Sequence, residues 1–225
     1  MTLSALIVNS TVKRLTHILC RIDSRQLHKV PHRGPLILVT NHVNFLDVPV
    51  IYTQLLPRPV TGFVKSETWD NPVMAFLFDI WGGIPIHRGE ADLEAIRKAI
   101  IALEQGYILA IAPEGTRSGN GKLIRGRPGA ITVALKTGSP ILPVAYYGGE
   151  KFSVNFRQLK RTDFHIVVGR SFFIDIHGEK VTRHLRTRII DEVMYQIAKL
   201  LPEDYRGYYA DLDKATEQYI RYIET

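Results

Sequence analysis

The chain has 225 residues, of which 45% are hydrophobic and 23% charged, and its formal net charge is +7. This length suits one α/β domain with a sizeable core, and the composition excludes an intrinsically disordered or collagen-like protein. The positive charge predicts a polyanionic partner, for which nucleic acid and anionic membrane surfaces both qualify. The single cysteine, Cys20, excludes an intrachain disulfide, and the eight dispersed histidines do not indicate a metal site.

Residues 1–28 predict an amphipathic, membrane-associating N-terminal helix. Such a helix can lie in a membrane interface or pack on the domain that follows it. No run reaches the ~18 apolar residues of a transmembrane helix. We therefore expect a peripheral or monotopic protein at the cytoplasmic face of the cell membrane. The apolar positions are Leu3, Ile7, Val8, Val12, Leu15, Ile18, Leu19 and Ile22, and the basic ones are Lys13, Arg14, His17, Arg21 and Arg25.

An apolar run over 36–39 predicts a buried strand, and the segment NHVNFLD at 41–47 follows it. A helix is expected over 48–56, because a proline at position 49 is tolerated in a first turn. On a straight helix His42 and Asp47 would point about 140° apart. In a loop that folds back, Asp47 could instead hydrogen-bond one imidazole nitrogen and leave the other free as a base.

The next part of the chain alternates short strands and a helix. Residues 60–65 predict a strand that ends at Lys65, residues 72–80 a short apolar helix, and residues 84–86 an extended piece just before Arg88.

A clear amphipathic helix is predicted over 91–105, with Gly106 as its C-terminal stop. A strand over 107–112 follows directly and leads into the segment PEGTRS at 113–118.

The remaining pattern continues the alternation of strands and helices. This alternation predicts an α/β fold: a single domain over 29–225 with a mixed, largely parallel sheet flanked by helices. The predicted elements are a helix over 129–137, strands over 140–147 and 164–169, an extended segment over 171–174, and helices over 181–200 and 211–223.

Four blocks in this order resemble the glycerolipid acyltransferase family, typified by lysophosphatidic acid acyltransferase. They are NHVNFLD, GGIPIHRG at 82–89, PEGTRS and a proline-bearing segment around 140–145. The resemblance covers about half of the chain, residues 36–147. The family often has Ser at Asn44, an aromatic residue at Pro85 and Ala112, and Asp at His87. These departures concern substrate preference more than the reaction.

The resemblance implies an O-acyltransferase without a cofactor. It would move a fatty acyl group from acyl-CoA or acyl carrier protein to the free hydroxyl of lysophosphatidic acid, giving phosphatidic acid. His42 would be the general base and Asp47 would fix its tautomer. We expect no acyl-enzyme, since neither Cys20 nor a serine near His42 lies in a nucleophile elbow. The alternative for His42 is a buried structural histidine.

The PEGTRS block is expected to bind the acceptor, because in the resembled family it holds the phosphate of glycerol-3-phosphate or its lyso derivative. Gly115 allows close backbone approach, Thr116 supplies a hydroxyl, and Arg117 offers a planar fork for phosphate oxygens. Glu114 would repel a phosphate. It is therefore expected to hold Arg117, a loop amide or an acceptor hydroxyl.

Further basic residues lie near these blocks in the sequence. Arg88 is a candidate second phosphate ligand or a solvated loop arginine, and Lys65 could add positive charge to the pocket. The cluster of Lys122, Arg125 and Arg127 favours a solvated surface over a phosphate or carrier-protein site.

Three alternatives remain open at the level of function. The acceptor could be another lysophospholipid, a lyso-ornithine lipid or glycerol-3-phosphate. The chain could be a non-catalytic protein that binds anionic membranes, or a hydrolase in which the same base activates water. Nucleic acid is not expected as a partner, because the sequence has no helix-turn-helix, zinc-finger or aromatic-interleaved basic motif.

Overall fold

A nine-stranded sheet runs through residues 3–87 and 92–224, the parts of the chain that the computed structural model describes. The strands are β1 (Cys20–Asp23), β2 (Leu36–Thr40), β3 (Val60–Lys65), β4 (Ile84–Ile86), β5 (Ile108–Ile111), β6 (Ile141–Tyr147), β7 (Thr162–Val168), β8 (Phe172–Ile174) and β9 (Ile220–Tyr222).

The main order of the strands is β1-β7-β6-β2-β5-β3-β4, and β8 joins β6 to β9. The pairs from β6 through β2, β5 and β3 to β4 are all parallel, and β6 and β7 are antiparallel. The predicted α/β fold with a mixed, largely parallel sheet is therefore confirmed. Because β2, β3, β5 and β6 run in one direction, the loops that follow them lie at one edge of the sheet.

Seven α-helices flank the sheet in the described residues. They are α1 (Leu3–Leu19), α2 (Asp47–Gln54), α3 (Pro72–Ile80), α4 (Leu93–Glu104), α5 (Thr132–Thr137), α6 (Phe152–Arg157) and α7 (Arg183–Ala198). The sequence predicted all of these except α6.

The sheet separates two hydrophobic cores, because successive side chains of a strand point to opposite faces. Ile37 and Val39 of β2 lie in the core covered by α4, α5 and α7, whereas Leu36 and Leu38 face α1, α2, α3 and α6. All five residues of β2 are buried, which is typical of a central parallel strand.

The N-terminal helix ends earlier than the sequence predicted. α1 stops at Leu19, and the next four residues form β1, which pairs in parallel with β7 at the edge of the sheet. Arg21 donates to Asp163 of β7 over 2.6 Å. The pairing with β7 therefore replaces the last helical turns that the apolar spacing indicated.

The predicted C-terminal helix over 211–223 is wrong. The segment forms one short 3-10 turn, Leu212–Lys214, and then β9. Buried Glu192 of α7 explains the difference, since its carboxylate accepts from the Thr216 hydroxyl at 2.6 Å and from the amides of Gln218 and Tyr219 at 2.9 Å. These bonds fix residues 216–219 to α7.

Helix α1 packs on the domain through small and polar side chains, with Ala5, Asn9 and Thr16 buried. The indole N–H of Trp81 donates to the Asn9 side-chain oxygen over 2.8 Å. The large apolar residues Leu3, Leu6, Ile7, Leu15 and Ile18 are exposed instead. None of the helices in the described residues is long and apolar enough to cross a membrane.

Candidate active site

The loops after β2 and β5 form the centre of the candidate site. His42 follows β2, and Glu114 to Arg117 follow β5, its parallel neighbour. Ligand sites of open α/β sheets lie at this carboxyl edge. Two backbone hydrogen bonds join the loops, from Ser118 N–H to His42 C=O at 2.8 Å and from Gly119 N–H to Val43 C=O at 3.0 Å.

The loop after β2 folds back so that His42 and Asp47 meet. His42 Nδ1 and Asp47 Oδ2 are 2.8 Å apart, and the side chains are 18% and 5% exposed. A carboxylate partner implies that Nδ1 carries the proton, which leaves Nε2 as an unprotonated base. Of the two arrangements left open by the spacing, the structure shows the hydrogen-bonded one.

Asp47 organises this loop through a single oxygen. Its Oδ2 also accepts from the amides of Val43, at 2.6 Å, and Asn44, at 3.0 Å. Asp47 is the first residue of α2, where a negative charge is favoured by the helix dipole. The loop conformation that presents His42 therefore depends on the same carboxylate that orients the imidazole.

Glu114 is 99% buried and links the two sides of the site through loop amides, one of the three partners expected for it. Its Oε2 accepts from the His42 amide at 2.7 Å, and its Oε1 accepts from the Ile124 amide at 2.9 Å. Together with the Ser118 bond, this holds the backbone of His42 at both its N–H and its C=O.

Burial raises the pKa of the Glu114 carboxyl from 4.5 to about 7. The two amide donors act in the opposite direction, because they stabilise the ionised form, and nearby Asp47 adds to the increase. Glu114 therefore changes its charge near neutral pH, directly behind the backbone of His42.

Gly115 occupies the left-handed region, with φ at +69°, which glycine adopts without steric cost. A Cβ at this position would lie 3.0 Å from both Cδ and Nε of Arg127. Arg127 therefore lies across the loop that carries Thr116 and Arg117. Arg127 is exposed, in agreement with the solvated surface that the sequence favoured, but nothing in the pattern indicated that residue 127 returns to residue 115.

Arg117 is exposed, and none of the ion pairs between described residues involves it. Lys65 ends β3 at the same edge but is paired with Glu67, with 3.0 Å between Nζ and Oε1. An exposed pair of this kind is weak, so a phosphate could compete for Lys65. Arg88, the candidate second phosphate ligand, lies outside the described residues.

Two asparagines that the sequence analysis did not single out hold the histidine loop. The Asn41 amide group bonds both the N–H and the C=O of Tyr146 in β6, each at 2.8 Å. Asn44 donates to Gly149 C=O at 2.7 Å and accepts from the Leu46 amide at 2.8 Å. Asparagine next to a strand end commonly bonds loop backbone, and that was the available signal.

The arrangement places an imidazole that is oriented to act as a base near an exposed guanidinium that has no ion pair with any described residue. This combination suits proton abstraction from a hydroxyl whose own molecule carries a phosphate. In the described part of the chain, no three His, Cys, Asp or Glu side chains are grouped closely enough to hold a metal ion.

Known proteins are similar to this chain in sequence and in fold. The model of a family described as acyltransferase matches residues 21–147. A 1-acyl-sn-glycerol-3-phosphate acyltransferase of Borreliella burgdorferi is 29% identical over 178 residues, which cover 76% of this chain and 68% of that protein. The chloroplastic enzyme LPAT1 of Arabidopsis thaliana is 32% identical over 166 residues, or 71% of this chain and 45% of that protein. The chain thus spans less than half the length of this plant relative.

The fold also matches a solved structure. The crystal structure of PlsC, the 1-acyl-sn-glycerophosphate acyltransferase of Thermotoga maritima, superposes with a TM-score of 0.64 over 87% of this chain and 78% of that one, at 22% sequence identity. The family match covers more than half of the chain and includes both loops of the site. The chain belongs to the acyltransferase family.

Proposed function

We propose that this protein transfers a fatty acyl group from a thioester to the free hydroxyl of lysophosphatidic acid, forming phosphatidic acid in phospholipid biosynthesis. The observation that carries the proposal is the 2.8 Å contact between His42 Nδ1 and Asp47, beside the loop of Arg117. The names of the Borreliella and Arabidopsis relatives support the acceptor.

In the proposed reaction, His42 Nε2 takes the proton of the acceptor hydroxyl while the oxygen attacks the thioester carbonyl. Asp47 stabilises the imidazolium that forms. Collapse of the tetrahedral intermediate forms the new ester, breaks the C–S bond and releases a thiolate, which receives the proton from His42. The acyl group passes directly to the acceptor, and no covalent acyl-enzyme forms.

The acceptor phosphate is assigned to the loop after β5. Thr116 would donate its hydroxyl, and Arg117 its guanidinium, to phosphate oxygens. Glu114 does not face the phosphate in this account, since both of its oxygens are used by loop amides. Lys65 at the end of β3 and Arg88 are proposed to add positive charge.

The donor is proposed to be acyl-CoA or acyl carrier protein, and the site of action the cytoplasmic face of the cell membrane. The exposed apolar residues of α1 support membrane association, because a packed helix normally turns such residues inward. Lys13 and Arg14 on the same helix would attract anionic lipid.

The experiment that tests this function identifies the product. The purified protein is incubated with a long-chain acyl-CoA, or with acyl carrier protein carrying the same chain, and with lysophosphatidic acid. Glycerol-3-phosphate and lysophosphatidylcholine are tested in parallel. Mass spectrometry should find phosphatidic acid. If glycerol-3-phosphate is the only acceptor that is acylated, the protein catalyses the acylation that precedes the proposed one. Free fatty acid as the only product would indicate a hydrolase.

A further inference from the structure

Three large apolar side chains on α6 and just after it are exposed to solvent. The sequence did not predict this helix. Val154 is 59% exposed, Phe156 54% and Leu159 95%. We call these three residues the α6 patch. Single exposed apolar residues are ordinary on protein surfaces, but three within six positions concentrate apolar surface in one short segment, which is typical of an interaction site.

The backbone conformation of Leu159 indicates that this leucine does not contribute to the stability of the fold. Its φ of +55° lies in the left-handed region, where a glycine or asparagine normally ends a helix. The turn is defined by bonds from Leu159 N–H to Phe156 C=O at 3.1 Å and from Lys160 N–H to Asn155 C=O at 2.9 Å. A leucine here pays a steric cost and buries almost nothing within the chain.

A series of aromatic rings connects the patch to the histidine loop. The ring of Phe156 stacks on Phe152 at 5.6 Å, and Phe152 meets Phe45 edge-on at 5.5 Å. Phe45 lies between His42 and Asp47 and is itself exposed, whereas Phe152 is buried. The α6 patch therefore lies beside the histidine loop, on the side of the sheet that α1 covers.

Several basic residues flank the three residues of the patch in the sequence. Lys151, Arg157 and Lys160 are exposed, and none of them takes part in an ion pair between described residues. Arg161 donates to the carbonyls of His17 at 2.6 Å and Cys20 at 2.8 Å, which places the end of the patch next to the end of α1. Exposed apolar side chains that alternate in sequence with exposed cations complement the surface of an anionic bilayer.

We infer that the α6 patch, with Phe45, docks on an anionic phospholipid bilayer and brings the histidine loop to the lipid surface. The inference rests on the proposed function in that the acceptor is a lipid, but the surface can be tested without turnover. It adds a second contact with the membrane, separate from α1 and directly beside the base.

Leu159→Gly separates docking from folding, because the two effects have opposite signs. Glycine tolerates the positive φ, so the melting temperature should stay unchanged or rise. Loss of the side chain should weaken binding to phosphatidylglycerol–phosphatidylcholine vesicles about tenfold, in line with the burial of its CH₂ and CH₃ groups in lipid. Leu93→Asn is the matched control, since Leu93 is also exposed but lies on α4, across the sheet.

Co-sedimentation with vesicles measures the binding, and thiol release with a short-chain soluble acceptor measures the chemistry. The expected result is weaker vesicle binding for Leu159→Gly and for the double variant Val154→Ser, Phe156→Ser, with little change for Leu93→Asn. Equal vesicle binding by the wild type and both α6 variants would overturn the inference. A wild type that acylates no lipid acceptor would refute the proposed function while leaving the vesicle result interpretable.

Charge removal tests the chosen partner. Substitution of Lys151, Arg157 and Lys160 by Gln should weaken binding to anionic vesicles about fivefold for each charge and leave binding to pure phosphatidylcholine unchanged. If vesicle binding is unaffected and the KM for acyl carrier protein rises instead, the patch binds the carrier protein and the bilayer inference is wrong.

Discussion

His42 and Arg117 follow neighbouring strands, yet their surroundings differ sharply. The backbone of His42 is held at both its N–H and its C=O, and its ring bonds the buried Asp47. Arg117 is exposed and takes part in none of the ion pairs between described residues. The proposed base is thus preorganised, whereas the proposed phosphate ligand stays available for an anion. Substitutions at His42 and its partners should therefore change mainly kcat, whereas substitution of Arg117 should change mainly the KM for the acceptor.

The largest effect is expected from His42→Ala. Loss of the general base should lower kcat by about 10²–10⁴-fold and leave the KM for the acceptor nearly unchanged. Circular dichroism and thermal melting would establish that the variant is folded. A kcat close to that of the wild type would break the comparison, because His42 would then be a structural residue.

Asp47→Asn should lower kcat by about 10²–10³-fold, since a neutral amide cannot stabilise the imidazolium that forms in the reaction. The Asn oxygen can still accept from the amides of Val43 and Asn44, so the loop should remain in place. The pH profile of kcat is the discriminating measurement. If Asp47 had only a structural role, the substitution would lower the stability of the protein and leave the pH profile of kcat unchanged.

Glu114→Gln tests how firmly the backbone of His42 is held. The folded chain keeps a proton on Glu114 up to about pH 7, whereas the unfolded chain releases it near 4.5. The stabilising contribution of this group is therefore complete below pH 4.5 and is lost as the pH rises to 7, by roughly 3 kcal/mol.

In the Gln variant this pH dependence should disappear. One amide, of His42 or Ile124, would also face a donor instead of an acceptor, which costs about 1–3 kcal/mol. Urea unfolding at pH 5 and pH 8 measures both effects. The free energy of unfolding of the variant should be lower than that of the wild type at pH 5, and this difference should be smaller at pH 8. A constant difference would show that Glu114 stays ionised throughout.

Arg117→Ala should give the smallest of these effects, a rise of about 10–100-fold in the KM for the phosphorylated acceptor, corresponding to the loss of charged hydrogen bonds. Arg125→Ala is the matched control, because Arg125 is exposed on the same loop but lies over the ring of Tyr208. If kcat falls instead while KM stays constant, Arg117 acts on the transition state and the proposed division of roles is wrong.

The sequence predicted the strands of the central sheet and the positions of His42 and Asp47, because apolar runs ending in polar residues are local signals. It could not select the partner of Glu114. Ile124 lies ten residues away along a loop, and the His42 amide lies on a different strand end. The helix predicted over 211–223 is wrong because Glu192, distant in sequence, binds the backbone amides of this segment and fixes it to α7.

The short elements escaped prediction for a related reason. β1 has only four residues and is defined by its pairing with β7, and α6 has only six. Elements of this length depend on tertiary contacts more than on intrinsic propensity. The outward orientation of the apolar residues of α1 was also hidden, since periodicity shows that a helix has two faces but not which face meets the domain.

The most direct test of direct acyl transfer is rapid-mixing measurement of thiol release from a long-chain acyl-CoA, with and without lysophosphatidic acid. Without the acceptor, no stoichiometric burst should appear, because in the proposed mechanism no residue of the enzyme accepts the acyl group. With it, thiol and phosphatidic acid should form in equal amounts at equal rates. A burst of one thiol per enzyme without the acceptor would contradict the account by showing an acyl-enzyme.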